Sequence, residues 1–142
     1  MTFSVLIHGP TASGKTALSL ALAAELGAEV INADAMQVYS DLAILTARPS
    51  AEEASQAPHH LFGHIDASAS YSTGKWLAEA LERIRDAHAR NVPTILIGGT
   101  GLYLKVLTEG LHDLPDTEPE LRAEVRALIE AGGLDAAYQM LV

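Results

Sequence analysis

The chain has 142 residues, of which 49% are hydrophobic, so we expect one globular domain that can bury a core. It contains no cysteine, which excludes disulfides and thiolate metal sites and suits a reducing cytoplasm. The formal net charge of −9 argues against a broad electrostatic footprint on nucleic acid, although a local patch would still permit binding, and no apolar run approaches the length of a membrane span.

The first predicted elements are a strand at residues 3–8 and a helix at residues 16–26, closed by Gly27. The loop between them fits Gly-x-x-x-x-Gly-Lys-Ser/Thr, the phosphate-binding P-loop. Its residues are Gly9, Pro10, Thr11, Ala12, Ser13, Gly14, Lys15 and Thr16. Because a strand and a helix flank the loop as this motif requires, we predict a phosphate site here.

Each part of the loop has a physical role in holding an anion. Glycine lets the backbone approach phosphate oxygens, and the N–H groups of the loop and helix N-terminus form an anion nest. Lys15 supplies a mobile positive charge, and the Thr16 hydroxyl is a hard oxygen ligand for Mg2+. The expected cofactor is therefore Mg2+.

A second strand is predicted at residues 28–33, with Asp34 at its carboxyl end. Ligands of open α/β sheets bind outside the carboxyl ends of strands, so Asp34 is a candidate for chemistry. Capping of the next turn explains an Asp at this place equally well. Arg48 is the only basic residue between Lys15 and Lys75, and it either contacts a phosphate or, as we favour, lies on the surface.

Residues 50–70 are polar and predict a loop that moves over the site. Its histidines, His59, His60 and His64, lack the helical i, i+4 spacing and the cysteine partners of a good metal site. A helix follows at residues 72–90, in which Trp76 is expected to be a core anchor rather than a base-stacking platform.

A third strand is predicted at residues 94–97, continuously apolar as a central parallel strand should be. Many P-loop NTPases end such a strand with an Asp that holds Mg2+, whereas this one ends in Gly98-Gly99-Thr100-Gly101. This pattern favours a second phosphate-facing loop over a simple turn into the helix predicted at residues 102–109.

The character of the chain changes after Leu111. Residues 113–119 predict a linker, and residues 117–120 fit a capping box that opens a helix. An apolar stripe continues until Gly132 and Gly133 stop it, and a further helical pattern begins at Leu134.

Four motifs in this order resemble one family, that of the tRNA dimethylallyltransferases. They are the P-loop, residues 32–39, Pro58-His59-His60-Leu61 and Gly98-Gly99-Thr100-Gly101-Leu102-Tyr103. The resemblance covers the whole chain and implies an α/β fold, a P-loop NTPase-like parallel sheet flanked by helices. It implies transfer of a dimethylallyl group from its diphosphate to the exocyclic amine of the adenosine 3′ of the tRNA anticodon, with Mg2+.

The resemblance also implies roles for individual residues. The P-loop would hold the diphosphate leaving group rather than drive NTP hydrolysis, and Asp34 would be the general base, with Thr100 as a second catalytic residue. The residues implied to meet tRNA are Asp34, Ala35, Met36, Gln37, Thr100 and Arg122. Two departures stand out, because Ala35 replaces the family's Ser and Leu45 replaces a Gly.

The resemblance further divides the chain into the N-terminal part of a P-loop core, residues 1–112, and the start of a helical insertion, residues 113–142. Family members run well beyond this length, so we expect a fragment that lacks the C-terminal part of the fold and is inactive alone. The expected protein is monomeric and cytoplasmic. Two alternatives stay open: a small-molecule P-loop kinase, which would need an arginine-bearing lid, and an inactive nucleotide-binding module.

Overall fold

The computed structural model describes residues 2–111 and 117–140, apart from the side chain of Ala136. These residues divide into two units, one that ends at Leu111 and one made of residues 117–140. The first unit contains the predicted parallel sheet and its flanking helices, and each unit is described by itself.

A four-stranded parallel sheet forms the centre of the first unit. Its strands are β1 (Ser4–His8), β2 (Glu29–Asn32), β3 (His59–His60) and β4 (Thr94–Gly98), in the spatial order β1-β4-β2-β3. Strands β2 and β4 are buried along their whole length, because each has a neighbour on both sides and helices over the sheet. The continuously apolar run at residues 94–97 is therefore a central strand, as predicted.

Helices cover both faces of this sheet. The helices of this unit are α1 (Lys15–Leu26), α2 (Ala51–Ala54), α3 (Thr73–Ala89) and α4 (Gly101–Glu109), with a 3-10 turn at Ser40–Leu42, and α1, α3 and α4 pack on the sheet. Neighbouring residues of a strand point to opposite faces. Accordingly, Val30 and Ile95 pack with Ala23 of α1, whereas Ile31 and Leu96 pack with α3 and α4. The α/β fold class is thus confirmed.

Trp76 of α3 is the core anchor that the sequence predicts. Its side chain is fully buried, and its ring stacks on Tyr103 of α4 with the centroids 4.1 Å apart. Its indole Nε1–H donates a hydrogen bond of 2.8 Å to the carbonyl of Asn32, so its polar group is satisfied inside the core. The ring therefore joins both helices to the end of β2.

The prediction of a continuous loop over residues 50–70 is wrong in part. Ser50 and Glu53 form a reciprocal capping box that opens α2, and His59 and His60 form β3, which pairs with Val30 and Ile31 of β2. A two-residue strand has no periodic sequence signal of its own, because its conformation comes from pairing with a neighbour.

The second unit consists of α5 (Pro119–Gln139). The predicted capping box at residues 117–120 is wrong: Glu118 is the N-cap and makes no side-chain hydrogen bond. Pro119 occupies the first helical turn, and a residue before proline is held extended, so the helix start is shifted by one residue. Gly133 interrupts the helix with φ 73 and ψ −179, as the predicted stop requires.

The predicted linker residues Asp113, Pro115 and Asp116 lie outside the described residues. Among the helices that are described, none combines the length and the apolarity needed to cross a membrane.

Candidate functional site

The P-loop joins β1 to α1 and leaves the helix N-terminus free of side-chain caps. Gly14 is the N-cap with φ 82, a left-handed conformation that other residues adopt only with strain, and it makes no side-chain hydrogen bond. The first turn of α1 contains no acidic residue. The backbone N–H groups and the positive end of the helix dipole are therefore directed at whatever anion enters the loop.

Lys15 folds back over this loop. Its Nζ donates a hydrogen bond of 2.6 Å to the carbonyl of Pro10, and the contact is exposed to solvent. An ammonium group has three donors, so the same side chain can contact a phosphate above the loop. The positive charge of Lys15 therefore lies beside the backbone of the P-loop.

A cavity of about 380 Å3 opens between the P-loop, the carboxyl edge of the sheet and residues 46–62. Its polar lining comes from residues 11–16, Asp34, Gln37, Thr46 and Glu53. Its apolar lining comes from Ala17, Ala47, Pro49, Phe62 and Ile97, with Gly98 at the end of β4. The phosphate loop and the strand-end carboxylate, which lie far apart in sequence, therefore share one cavity.

Asp34 is held by hydrogen bonds at both its backbone and its carboxylate. Its N–H donates to Oδ1 of Asn32 at 2.9 Å, and its own Oδ1 accepts from the N–H of Met36 at 2.9 Å. Its Oδ2 lies beside Gly99, where an added Cβ would come within 3.4 Å of it. No hydrogen bond to Oδ2 occurs within residues 2–111 and 117–140, so this oxygen is available to a substrate proton.

The glycine turn after β4 packs against the backbone on either side of Asp34. A Cβ on Gly98 would overlap the carbonyl of Ala33, which also accepts a hydrogen bond of 3.3 Å from the N–H of Thr100. The Thr100 hydroxyl oxygen accepts from the N–H of Ala35 at 2.9 Å. Gly98 therefore faces the cavity, whereas Thr100 supports the residue next to Asp34 from outside the lining.

The other residues implied to meet tRNA lie in different places. Gln37 lines the cavity, and its Nε2 donates to the carbonyl of Thr46 at 2.9 Å. Met36 has an exposed side chain, and Ala35 packs against the core under α3 and α4. Arg122 is an exposed residue of α5, which belongs to the second unit.

Arg48 is neither a cavity residue nor a free surface cation. Its Nη1 donates to the carbonyls of Tyr39, at 3.1 Å, and Ser40, at 3.3 Å. Gly63, with φ +56, leaves room for the guanidinium, which a Cβ at that position would overlap. Arg48 thus fastens the segment that leads to Thr46 against the turn after β3.

The three histidines have separate partners. His60 Nε2 lies 2.8 Å from Glu29 and His64 Nε2 lies 2.9 Å from Glu79, while Nδ1 of His59 contacts the carbonyl of Ala57 at 2.7 Å. Within the described residues, no group of three or more His, Asp or Glu side chains is arranged to hold a metal ion.

Glu29 forms an ion pair with Arg90 at the amino end of β2. Its carboxylate is largely buried and accepts from Arg90 Nη1 at 2.7 Å and Nη2 at 3.2 Å. These hydrogen bonds, helped by the one from His60, hold the pKa of Glu29 below its usual value. The pair lies at the opposite end of β2 from Asp34 and serves stability.

Sequence reasoning missed Glu53 and the apolar wall of the cavity. The position of Glu53 could have been predicted from the sequence, because Ser50-x-x-Glu53 is a capping-box pattern. Hydrogen bonds from the backbone and hydroxyl of Ser50, of 2.8 and 2.9 Å, lower the pKa of Glu53. Phe62 and Pro49 had no such signal, because nothing local shows that they face a P-loop that begins at Gly9.

Comparisons with known protein families give a consistent result. The profile described as IPP transferase matches residues 37–142, and the one described as isopentenyl transferase matches residues 3–62. The tRNA dimethylallyltransferase of Hyphomonas neptunium is 54% identical over 132 residues, which are 93% of this chain and 42% of that protein. That of a Caulobacter species is 55% identical over 127 residues, 89% of this chain and 41% of that protein.

Solved structures show the same likeness in three dimensions. A eukaryotic dimethylallyltransferase that acts on tRNA has a TM-score of 0.84 and 34% identity, over 100% of this chain and 35% of that one. A tRNA isopentenylpyrophosphate transferase from Bacillus halodurans has a TM-score of 0.73 and 37% identity, over 99% of this chain and 46% of that one. The chain spans about two fifths of the length of the curated relatives that it matches.

Proposed function

The chain belongs to the IPP transferase family, and from this membership we propose that it supplies the diphosphate site and the proton acceptor of a tRNA dimethylallyltransferase. The reaction would transfer a dimethylallyl group from its diphosphate to the exocyclic amine of the adenosine 3′ of the tRNA anticodon. One observation supports this most directly: Asp34 and the P-loop line the same cavity.

The P-loop would bind the diphosphate and stabilise it as the leaving group. As the carbon–oxygen bond breaks, its electron pair remains on the diphosphate, whose negative charge therefore increases. Fixed N–H groups at the start of α1 and the Lys15 ammonium lie where they can offset this charge. A preorganised cradle of this kind stabilises the leaving group without rearrangement at the moment of reaction.

Mg2+ fits the donors present here, and Thr16 is the residue that would hold it. The ion prefers hard oxygen ligands and is commonly bound through one or two protein oxygens together with substrate phosphates and water. Thr16 lines the cavity at the first turn of α1. When bound, the ion neutralises part of the diphosphate charge.

Asp34 would accept the proton of the amine. The lone pair of an adenine amine is delocalised into the ring, so the nitrogen is a weak nucleophile until its proton is taken. As nitrogen bonds to the allylic carbon, this proton would move to Asp34 Oδ2. The contact of Oδ1 with the Met36 N–H leaves Oδ2 for that role.

The apolar wall suits a small hydrocarbon group. Ala47, Pro49, Phe62 and Ile97 line the cavity together with the P-loop, so a molecule with a charged head and an apolar tail can satisfy both parts. Within the described part of the chain, the lining contains no arginine, whereas a small-molecule kinase would need an arginine-bearing lid over the terminal phosphate. This difference favours dimethylallyl transfer over a small-molecule kinase.

The remaining residues would meet the tRNA. Gln37 lies in the cavity wall, and the exposed Met36 is next to it in sequence, which supports the proposal that both contact the extruded adenosine. Thr100 would act through the Ala35 backbone, and Arg122 would contact the tRNA from the second unit. We propose a cytoplasmic enzyme, because its acceptor would be tRNA, and we also propose that it works as a monomer.

The test uses protein from the complete reading frame that contains this sequence. It is mixed with labelled dimethylallyl diphosphate, Mg2+ and unmodified tRNA, and in parallel with ATP and small phosphate acceptors. We expect label in tRNA, at one adenosine. Phosphorylation of a small acceptor without prenylation of tRNA would show that the kinase alternative is correct.

A further inference from the structure

Asn32 is a fully buried polar residue at the carboxyl end of β2. Its side chain makes three hydrogen bonds, all of them to backbone groups. Oδ1 accepts from the Asp34 N–H at 2.9 Å, and Nδ2 donates to the carbonyls of Asp34, at 2.9 Å, and Leu61, at 3.0 Å. The amide therefore holds both the N–H and the C=O of Asp34.

Strand pairing does not require this side chain. Asn32 pairs with Ile97 through its backbone, and the other residues at the centre of the sheet are mostly apolar. A buried amide costs free energy unless it is hydrogen-bonded, so an apolar residue would be the simpler choice for strand stability. The use of an amide here is explained by what it holds.

Asn32 is itself fixed in place, so it can act as a rigid support. Its carbonyl accepts the hydrogen bond from Trp76, whose ring stacks on Tyr103. Its contact with Leu61 reaches across 29 residues to the end of β3. The support therefore connects α3, α4 and β3 to the backbone of Asp34.

We propose that Asn32 is a positioning residue that orients the Asp34 carboxylate toward the reacting amine. The peptide groups of Asp34 set the direction of its side chain, and the Asn32 amide holds both of them. With Oδ1 engaged by Met36, a rotation of the backbone would move Oδ2 directly. This proposal rests on the proposed role of Asp34 as proton acceptor.

The principal variant is Asn32→Ala, which removes all three side-chain hydrogen bonds. We expect kcat of tRNA prenylation to fall by about 10- to 100-fold, since a misplacement of about 1 Å can cost about 100-fold. The KM for dimethylallyl diphosphate and the Kd for pyrophosphate should change by less than about twofold, because the P-loop is untouched. Asn32→Ser should recover part of kcat, since a hydroxyl can still accept from the Asp34 N–H.

A second measurement separates positioning from general stability. In an Asp34→Asn background, the same Asn32→Ala change should have almost no further effect on the residual rate, because its target is already removed. The matched control is Thr94→Val. Thr94 is a buried polar residue at the amino end of β4, and its hydroxyl forms a hydrogen bond of 2.8 Å with the hydroxyl of Ser4. This substitution should lower the melting temperature without lowering kcat.

The assays use protein from the complete reading frame, with thermal unfolding recorded for every variant. Equal rate losses in the parent and Asp34→Asn backgrounds, or a kcat for Asn32→Ala close to that of the parent, would overturn the proposal. If Asn32→Ala does not fold, Asn32→Ser is judged by the same criteria. A parent that does not prenylate tRNA, or an Asp34→Asn variant that retains its rate, refutes the proposed function instead.

Discussion

Substitution of Lys15 by alanine tests the phosphate site most directly. The Lys15 ammonium lies over the P-loop, where it contacts the Pro10 carbonyl at 2.6 Å. A bound diphosphate would replace this neutral acceptor by anionic oxygens. Alanine removes the charge and all three donors but leaves the backbone N–H groups of the loop in place, so binding should weaken without being lost through misfolding.

The expected magnitude follows from these contacts. A hydrogen bond to a charged group contributes about 1.5–3 kcal/mol, so two bonds from Lys15 to diphosphate contribute about 3–6 kcal/mol. Release of the Pro10 carbonyl offsets about 1 kcal/mol of this. The net loss, about 2–5 kcal/mol, corresponds to a rise in Kd of about 30- to 4,000-fold, since 1.4 kcal/mol is tenfold.

Titration calorimetry with pyrophosphate and Mg2+ measures this change. Lys105→Ala is the matched control, because Lys105 is an exposed residue of α4 whose acidic neighbour, Glu109, is 3.9 Å away. It removes the same charge from the same unit without touching the loop. If Lys15→Ala raised Kd by less than about threefold, or no more than the control does, the assignment of the loop as a diphosphate site would be wrong.

Three further predictions concern the base, the departure at position 35 and the pH dependence of stability. Asp34→Asn should keep the pyrophosphate Kd but reduce transfer by at least about 100-fold, since an amide cannot take the proton; single-turnover rates would check this. Ala35→Ser should keep transfer within about tenfold, because one added hydrogen bond contributes only about 0.5–1.5 kcal/mol, and a larger loss would show that the hydroxyl does not fit. Arg90 lowers the pKa of Glu29 from its ordinary value of 4.5. The pair therefore stabilises the folded state at pH values above 4.5, and this stabilisation is lost as the pH falls through the folded-state pKa of Glu29. Glu29→Gln should therefore flatten the acid side of the unfolding free energy, and an unchanged slope in denaturant titrations would contradict this.

The local elements of this protein were predictable because their signals are contained in short stretches. The P-loop carries its own geometry, with Gly14 at the left-handed N-cap and Lys15 at the first position of α1. The apolar run at residues 94–97 is a buried strand, and Gly27 ends α1 with φ 61. In each case the local residue pattern favours the backbone conformation that is observed.

The relations between these elements were decided only by the tertiary structure. The two-residue strand β3 exists because β2 lies beside it, and Arg48 is held by carbonyls and by the space that Gly63 leaves. The buried bonds of Asn32 and the apolar wall at Phe62 likewise depend on segments far away in the chain. A short sequence pattern cannot show such partners, because a polar side chain bonds whichever backbone group the fold brings within about 3 Å of it.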